Sequence, residues 1–242
     1  MTKKSLIILG MVTLLFSGSL CIKAQSTNAF SLVNPPKQKL DYLPFGEIKP
    51  AGWMKTQMQN DLDGFVGHLD LLVPDLMADQ IYGADRLTKS HKVKNLGNIG
   101  PELDPQYLWW NSETQSNWRD SFIRNAILLN DTAYLAKVQK YVDYILSTQD
   151  ADGYLGIYSP DLRYRFNDEN GELWAKATLL RGLMAWYEYS GKSEIMAAIV
   201  KAVDNVMVNY PINACSPFNS IKPFAGGVTH GLMFTDILDR LY

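Results

Sequence analysis

Residues 130–146, NDTAYLAKVQKYVDYIL, and residues 191–207, GKSEIMAAIVKAVDNVM, decide how this chain is read. The two stretches align at a constant offset of 61 residues. Thr132 falls on Ser193, Val138 on Ile199, Lys140 on Lys201, and Val142-Asp143 on Val203-Asp204. In the first copy Leu135, Val138, Val142 and Ile145 share one helical face; in the second Ile195, Ile199, Val203 and Val206 do so. Thr132 and Ser193 stand where N-caps are expected, just after the turn residues Asn130-Asp131 and Gly191-Lys192. A further helical stretch precedes each copy, over 118–129 and 172–189. The repeating unit is therefore a helix, a short turn, a second helix and a long aromatic-rich loop.

Neither helix of such a pair can bury its apolar stripe alone, so successive pairs must stack and share a core. The expected fold class is all-α: a toroid or barrel of helical hairpins with its long loops gathered at one end. An open solenoid of the same hairpins is the rival arrangement. No stretch alternates as a half-buried strand would. Residues 231–242 read as the first helix of a third unit, with no partner helix after it. The expectation is about half of an (α/α)6 barrel, hence a truncated or split chain or one part of a longer product. Uncovered apolar helix faces, and with them association or poor solubility, are expected to follow.

Toward the N-terminus the pattern weakens. A helix is expected over 53–65, with Met54, Met58, Leu62 and Phe65 on one face. Residues 66–116 hold no period and are expected to be irregular, with short helices at most. Residues 25–42 are polar, contain Pro35-Pro36 and read as an extended leader. Ahead of them, Lys3 and Lys4, the apolar run from Leu6 to Phe16, the break at Ser17-Gly18-Ser19 and the small Ala24 have the order of a secretory signal peptide. The expected layout is a signal over 1–24, a leader over 25–42 and one α/α domain over 43–242. Such a chain is exported to the periplasm, cell surface or medium, without membrane contact after cleavage.

Composition narrows the function. The 242 residues are 47% hydrophobic and 20% charged with a formal net charge of −2, so no basic excess draws in nucleic acid. Six tryptophans and 13 tyrosines supply many flat faces, suited to sugar rings and equally to cores. Of the two cysteines, Cys21 is expected to leave with the signal, which strands Cys215 without a disulfide partner. No Cys/His spacing of a metal site is present, so no metal or cofactor is expected in this chain.

Several blocks resemble one enzyme family. Residues 43–53, LPFGEIKPAGW, followed by 59–65, QNDLDGF, look like the N-terminal signature of glycoside hydrolase family 127, the β-L-arabinofuranosidase-like group with an (α/α)6 barrel. Trp118-Arg119-Asp120, then 149–156 (QDADGYLG), 170–174 (NGELW), Thr229-His230-Gly231 and 238–242 (LDRLY) resemble later blocks in the same order. The resemblance implies a retaining glycosidase with a zinc-bound cysteine thiolate as nucleophile and a glutamate as acid/base. It places those groups in the second half of the barrel, so catalytic residues are expected beyond residue 242, and the nucleophile role is not carried to Cys215. The implied partners are an oligosaccharide or glycan substrate and a downstream segment that completes the barrel. A non-catalytic sugar-binding remnant and a helical interaction module are the alternatives.

The residues expected to touch sugar follow. His230 matches a family histidine that faces the sugar pocket. Glu172 opens a helix beside Trp174, where a carboxylate is also favoured by the helix dipole. Ala175, Lys176, Ala177 and Thr178 stand where some relatives carry a histidine. Trp109-Trp110 form either a stacking platform in the long early loop or an anchor for it. Asp120 is a candidate acceptor for a hydroxyl. Asp150 and Asp152 flank a turn, which accounts for both, with Asp152 kept as a lesser candidate. His68 and His91 have no partner spacing.

Overall fold

The computed structural model of the protein describes residues 43–74, 77, 79–88, 109–164, 171–211 and 230–241. The expected signal and leader, His91, Cys215 and Thr229 fall outside them. Seven helices are described: α1 Gly52–Asp63, α2 Phe65–Leu72, α3 Trp110–Leu129, α4 Thr132–Ser147, α5 Glu172–Ser190, α6 Ser193–Asn209 and α7 Phe234–Leu241. The fold is all-α. Among the described residues no strand forms, and an isolated parallel bridge joins Leu87 to Tyr158.

The packing explains why the helices differ. α5 packs most extensively on α3, and also on α6 and α7, while α3 also meets α1, α2 and α4. Thirteen of the nineteen α5 residues are buried, against three of sixteen on α4, so α5 is enclosed on nearly all sides and α4 is covered along one stripe. Gly182 permits the α3–α5 approach: a Cβ there would lie 3.1 Å from Ile123 Cδ1 and 3.5 Å from the Asp120 Cα. α3, α5 and α7 run side by side in the same direction. Their N-terminal ends meet through Trp109, Gly171 and His230, and farther along, Arg124 donates to the Arg181 carbonyl and Arg181 pairs with Asp236.

The two repeat turns are built alike. Asn130 and Gly191 each end a helix in the left-handed conformation, with φ of 53° and 66°, and the next helix starts two residues later. The caps differ from expectation. Asp131, not Thr132, caps α4, its Oδ1 accepting from the N–H groups of Ala133 and Tyr134; Lys192 precedes α6 and offers no side-chain cap. Thr132 and Ser193 are already the first helical residues. The chain needs an acceptor one position earlier than the Thr/Ser alignment implies.

Other boundaries are corrected as well. The helix expected over 53–65 stops at Asp63, because Gly64 leaves helical angles and Phe65 begins α2. A Cβ on Gly67 would sit 1.9 Å from the Leu62 carbonyl oxygen, so only glycine lets α2 fold back so tightly. Leu62 is buried as expected, but Met54 and Phe65 are exposed, since the break turns Phe65 away from the α1 face. Trp53, Leu71 and Leu72 are exposed beside them. The stretch expected to be irregular over 66–116 contains α2 and the first turns of α3. That part of α3 buries Ser112, Gln115 and Ser116 rather than an apolar stripe, and so shows no hydrophobic period.

The ends of the α3–α5 pair are finished differently. Residues 43–50 cross the C-terminal end, where Phe45 N–H donates to Glu188, Lys49 donates to the Ile127 carbonyl and the Arg124 guanidinium covers the Phe45 ring. The N-terminal end carries the 79–88 and 148–164 segments, joined by the Leu87–Tyr158 bridge. The described parts of the first two long loops therefore lie at the end where α3, α5 and α7 begin.

Candidate functional site

Three aromatic side chains meet where α3, α5 and α7 start. The His230 ring lies 4.8 Å from Trp174 and 5.4 Å from Trp109, centroid to centroid. Trp109 immediately precedes α3 and is buried; Trp174 is on the first turn of α5 and half-buried. Gly171 makes this junction possible. A Cβ there would fall 2.1 Å from Trp109 Cγ, so any larger residue expels the indole. The Nε1 atoms of Trp109 and Trp174 are buried without a hydrogen-bond partner among the described residues. A buried indole N–H normally finds an acceptor.

Glu172 supports the same end from within. It is fully buried, and its Oε2 accepts from the Tyr164 N–H at 2.8 Å and from the Tyr210 hydroxyl. Tyr164 is held at φ 59°, a left-handed conformation unfavourable for a bulky aromatic, and its hydroxyl donates to Asn205. The carboxylate thus compensates a strained loop residue and ties it to α5 and to the end of α6. One turn on, Lys176 is also fully buried, donating to the Leu155 carbonyl and lying 3.7 Å from the Tyr154 ring centre. Burial pushes the Lys176 ammonium down to about 8; Arg163 and Arg86 add to the fall and Glu172 opposes it.

Tyr154 is the hub of this bed of charge. Arg163 covers its ring at 3.5 Å, Arg86 approaches at 5.4 Å, and its hydroxyl accepts from the Tyr158 N–H. Burial, with the charge of Glu172 beside it, holds the Tyr154 hydroxyl well above its ordinary range. Asp150 joins Arg86 and Arg163 by ion pairs of 2.8 and 2.5 Å. Burial alone would raise the Asp150 carboxyl, but the two guanidiniums outweigh it and hold it below the usual carboxylate value. Asp150 therefore does more than turn chemistry: it fastens the 79–88 segment to 148–164.

The remaining expected residues lie elsewhere. Asp152 is exposed in its turn, where Oδ1 accepts from the Tyr154 N–H and Gly153 supplies a φ of 88°. Asp120 is half-buried in the middle of α3 and pairs with Arg124 at 2.7 Å, about 15 Å along the helix from its start at the standard rise per residue. The Trp109-Trp110 pair divides, Trp109 anchoring the helix start and Trp110 facing solvent. His68 bonds to the Gly64 carbonyl and meets the Tyr134 ring edge-on.

Sequence reasoning missed Tyr154, Tyr164, Lys176, Tyr210 and the Arg86–Asp150–Arg163 bridge. Their partners are far apart in the chain, and the available signal was the crowding of Asp150, Tyr154, Arg163 and Tyr164 in the loop after α4. Among the described residues no three His, Cys, Asp or Glu side chains converge as a metal site needs, so no step is routed through zinc. Nor is any described helix long and apolar enough to cross a membrane. Comparison of the chain with protein-family models, with curated proteins and with solved structures finds no match.

Proposed function

We propose that this chain supplies a sugar-binding wall of an exported, family-127-like glycoside hydrolase domain, with the ligand seated at the N-terminal ends of α3, α5 and α7. The observation that carries the reading is the meeting of Trp109, Trp174 and His230 at that end. A half-buried indole face beside an imidazole offers a flat apolar surface and a polar group to orient hydroxyls, the usual make-up of a small-ligand site. In this reading Trp174 stacks on the ring and His230 bonds a hydroxyl. Glu172 is a positioning residue that holds Tyr164 and the loop above. The parallel run of α3, α5 and α7 gathers their helix starts at one end, where a cleft can form. No nucleophile, acid/base or metal ligand is assigned to these residues; retaining hydrolysis requires groups this wall does not carry.

The test is calorimetric binding of β-L-arabinofuranosyl oligosaccharides to the full chain and to Trp174→Ala, alongside turnover of the corresponding aryl glycoside. Saturable binding weakened about tenfold or more by Trp174→Ala, without turnover, is expected; tenfold corresponds to about 1.4 kcal/mol. Turnover by this chain alone would overturn the division of labour. Absence of binding by folded protein would overturn the sugar reading.

A further inference from the structure

A second site lies on the other side of α3. Met77, residues 79–82, α3 and α4 line an open cavity of about 310 Å³ whose walls include Asp79, Gln80, Gln115, Arg119, Tyr141 and Tyr144. Its size is at the lower end of the range for small-molecule pockets. None of Trp109, Trp174 and His230 lines it.

Arg119 is what makes this cavity unusual. Six arginines fall among the described residues, and Arg86, Arg124, Arg163, Arg181 and Arg240 all form ion pairs. Arg119 forms none: its guanidinium is clasped between the rings of Trp118 at 4.1 Å and Tyr141 at 4.4 Å, and its buried Nε has no hydrogen-bond partner. Burial draws the group below its ordinary value, though Tyr141 and Asp70 counteract this, and a guanidinium stays charged. A cation so oriented and so poorly satisfied is prepared for an anion with two in-plane oxygens.

The other walls define the rest of the ligand. Among the described residues the hydroxyls of Tyr141 and Tyr144, both on the cavity wall, have no hydrogen-bond partner. Asp79 is fixed by Asn111, which donates to its Oδ2 at 2.7 Å, and by Gln115, which donates to its carbonyl at 2.8 Å. The cavity thus presents the Arg119 guanidinium and the Asp79 carboxylate together, with Tyr141 and Tyr144 on the same walls.

We propose that this cavity binds a small hydroxylated carboxylate, the chemistry of a uronic acid, with its carboxylate on Arg119 and its hydroxyls donating to Asp79. A plain anion would satisfy Arg119 and be repelled by the Asp79 carboxylate. A neutral sugar would leave the guanidinium unanswered. The inference is independent of the sugar wall at the helix starts, since the two share no lining residue named for either.

The test is calorimetric titration of the full chain with galacturonate and, separately, galactose. Galacturonate is expected to bind about tenfold or more tighter, equivalent to about 1.4 kcal/mol, and the preference should shrink as ionic strength rises. Arg119→Gln should abolish the preference, and Tyr144→Phe, at a residue 37% exposed, should weaken galacturonate several-fold while leaving the melting temperature unchanged. Equal affinity for the two sugars, a preference insensitive to salt, or one that survives Arg119→Gln would overturn the proposal.

Discussion

α4 and α5 have nearly the same length and opposite relations to the core. α4 buries Val138, Val142 and Ile145 and leaves its other faces to solvent; α5 buries even Glu172, Lys176 and Thr178. On α4 a polar residue marks the outside. On α5 a polar residue marks an internal network, because no side of that helix is free to face water. The same residue types therefore mean different things on the two helices, and a charge inside an enclosed helix must be matched by partners from distant loops.

Substitutions can break this contrast. The largest effect is expected at Leu183, fully buried on α5: Leu183→Ala should cost about 4 kcal/mol, while Leu135→Ala on half-buried α4 should cost about 1. Denaturant unfolding of the two variants measures the difference, and equal costs would mean that α5 is less enclosed than described. Next comes Glu172→Gln, which keeps the shape but sets an amide nitrogen or a weaker acceptor against the Tyr164 N–H and the Tyr210 hydroxyl. A loss of about 2–3 kcal/mol is expected in the same measurement.

A pH series sharpens the comparison further. The Lys176 ammonium is depressed to about 8 in the folded protein against 10.5 for a free lysine. Between those values the unfolded chain binds more protons, so stability should rise as pH climbs from about 8, by about 1.4 kcal/mol per pH unit at most. Tyr82, Tyr141 and Tyr154, all raised by burial, oppose the rise once free tyrosine ionises near 10. Lys176→Met should flatten the curve between about pH 8 and 10, whereas exposed Lys140 on α4 should leave it unaltered when replaced. The smallest effect is at the turns. Asp131→Ala should cost about 1 kcal/mol through the lost cap, and Lys192→Ala close to nothing, since Lys192 caps no N–H.

These contrasts also show how far the sequence carried. The hairpins α3–α4 and α5–α6 were legible because α4 and α6 carry a clean apolar stripe and because Asn130 and Gly191 stop the preceding helices. The early part of α3 was not, since its buried face is made of Ser112 and Ser116, which bond to the Tyr82 hydroxyl, and Gln115, which donates to the Asp79 carbonyl. α2 is short and contains Gly67, so propensity argues against it while a close approach demands it. Of the candidate site, Glu172 and Trp174 were found by their place at a helix start, His230 by the family resemblance, and Trp109 as one of a tryptophan pair in what read as a loop. The Lys176–Tyr154–Arg163 stack and the unpaired Arg119 were hidden, because their meaning lies in which partners they have or lack.

The central claim is that the starts of α3, α5 and α7 form one sugar-facing surface. Its most direct test is an NMR titration that follows the indole N–H signals of Trp109 and Trp174 and the ring protons of His230 while a β-L-arabinofuranosyl oligosaccharide is added. The account predicts nuclear Overhauser contacts between the His230 ring and both indoles in the free protein, and saturable shifts of the Trp174 and His230 signals on titration. Contacts absent in folded protein, or shifts confined to residues away from these three, would contradict it.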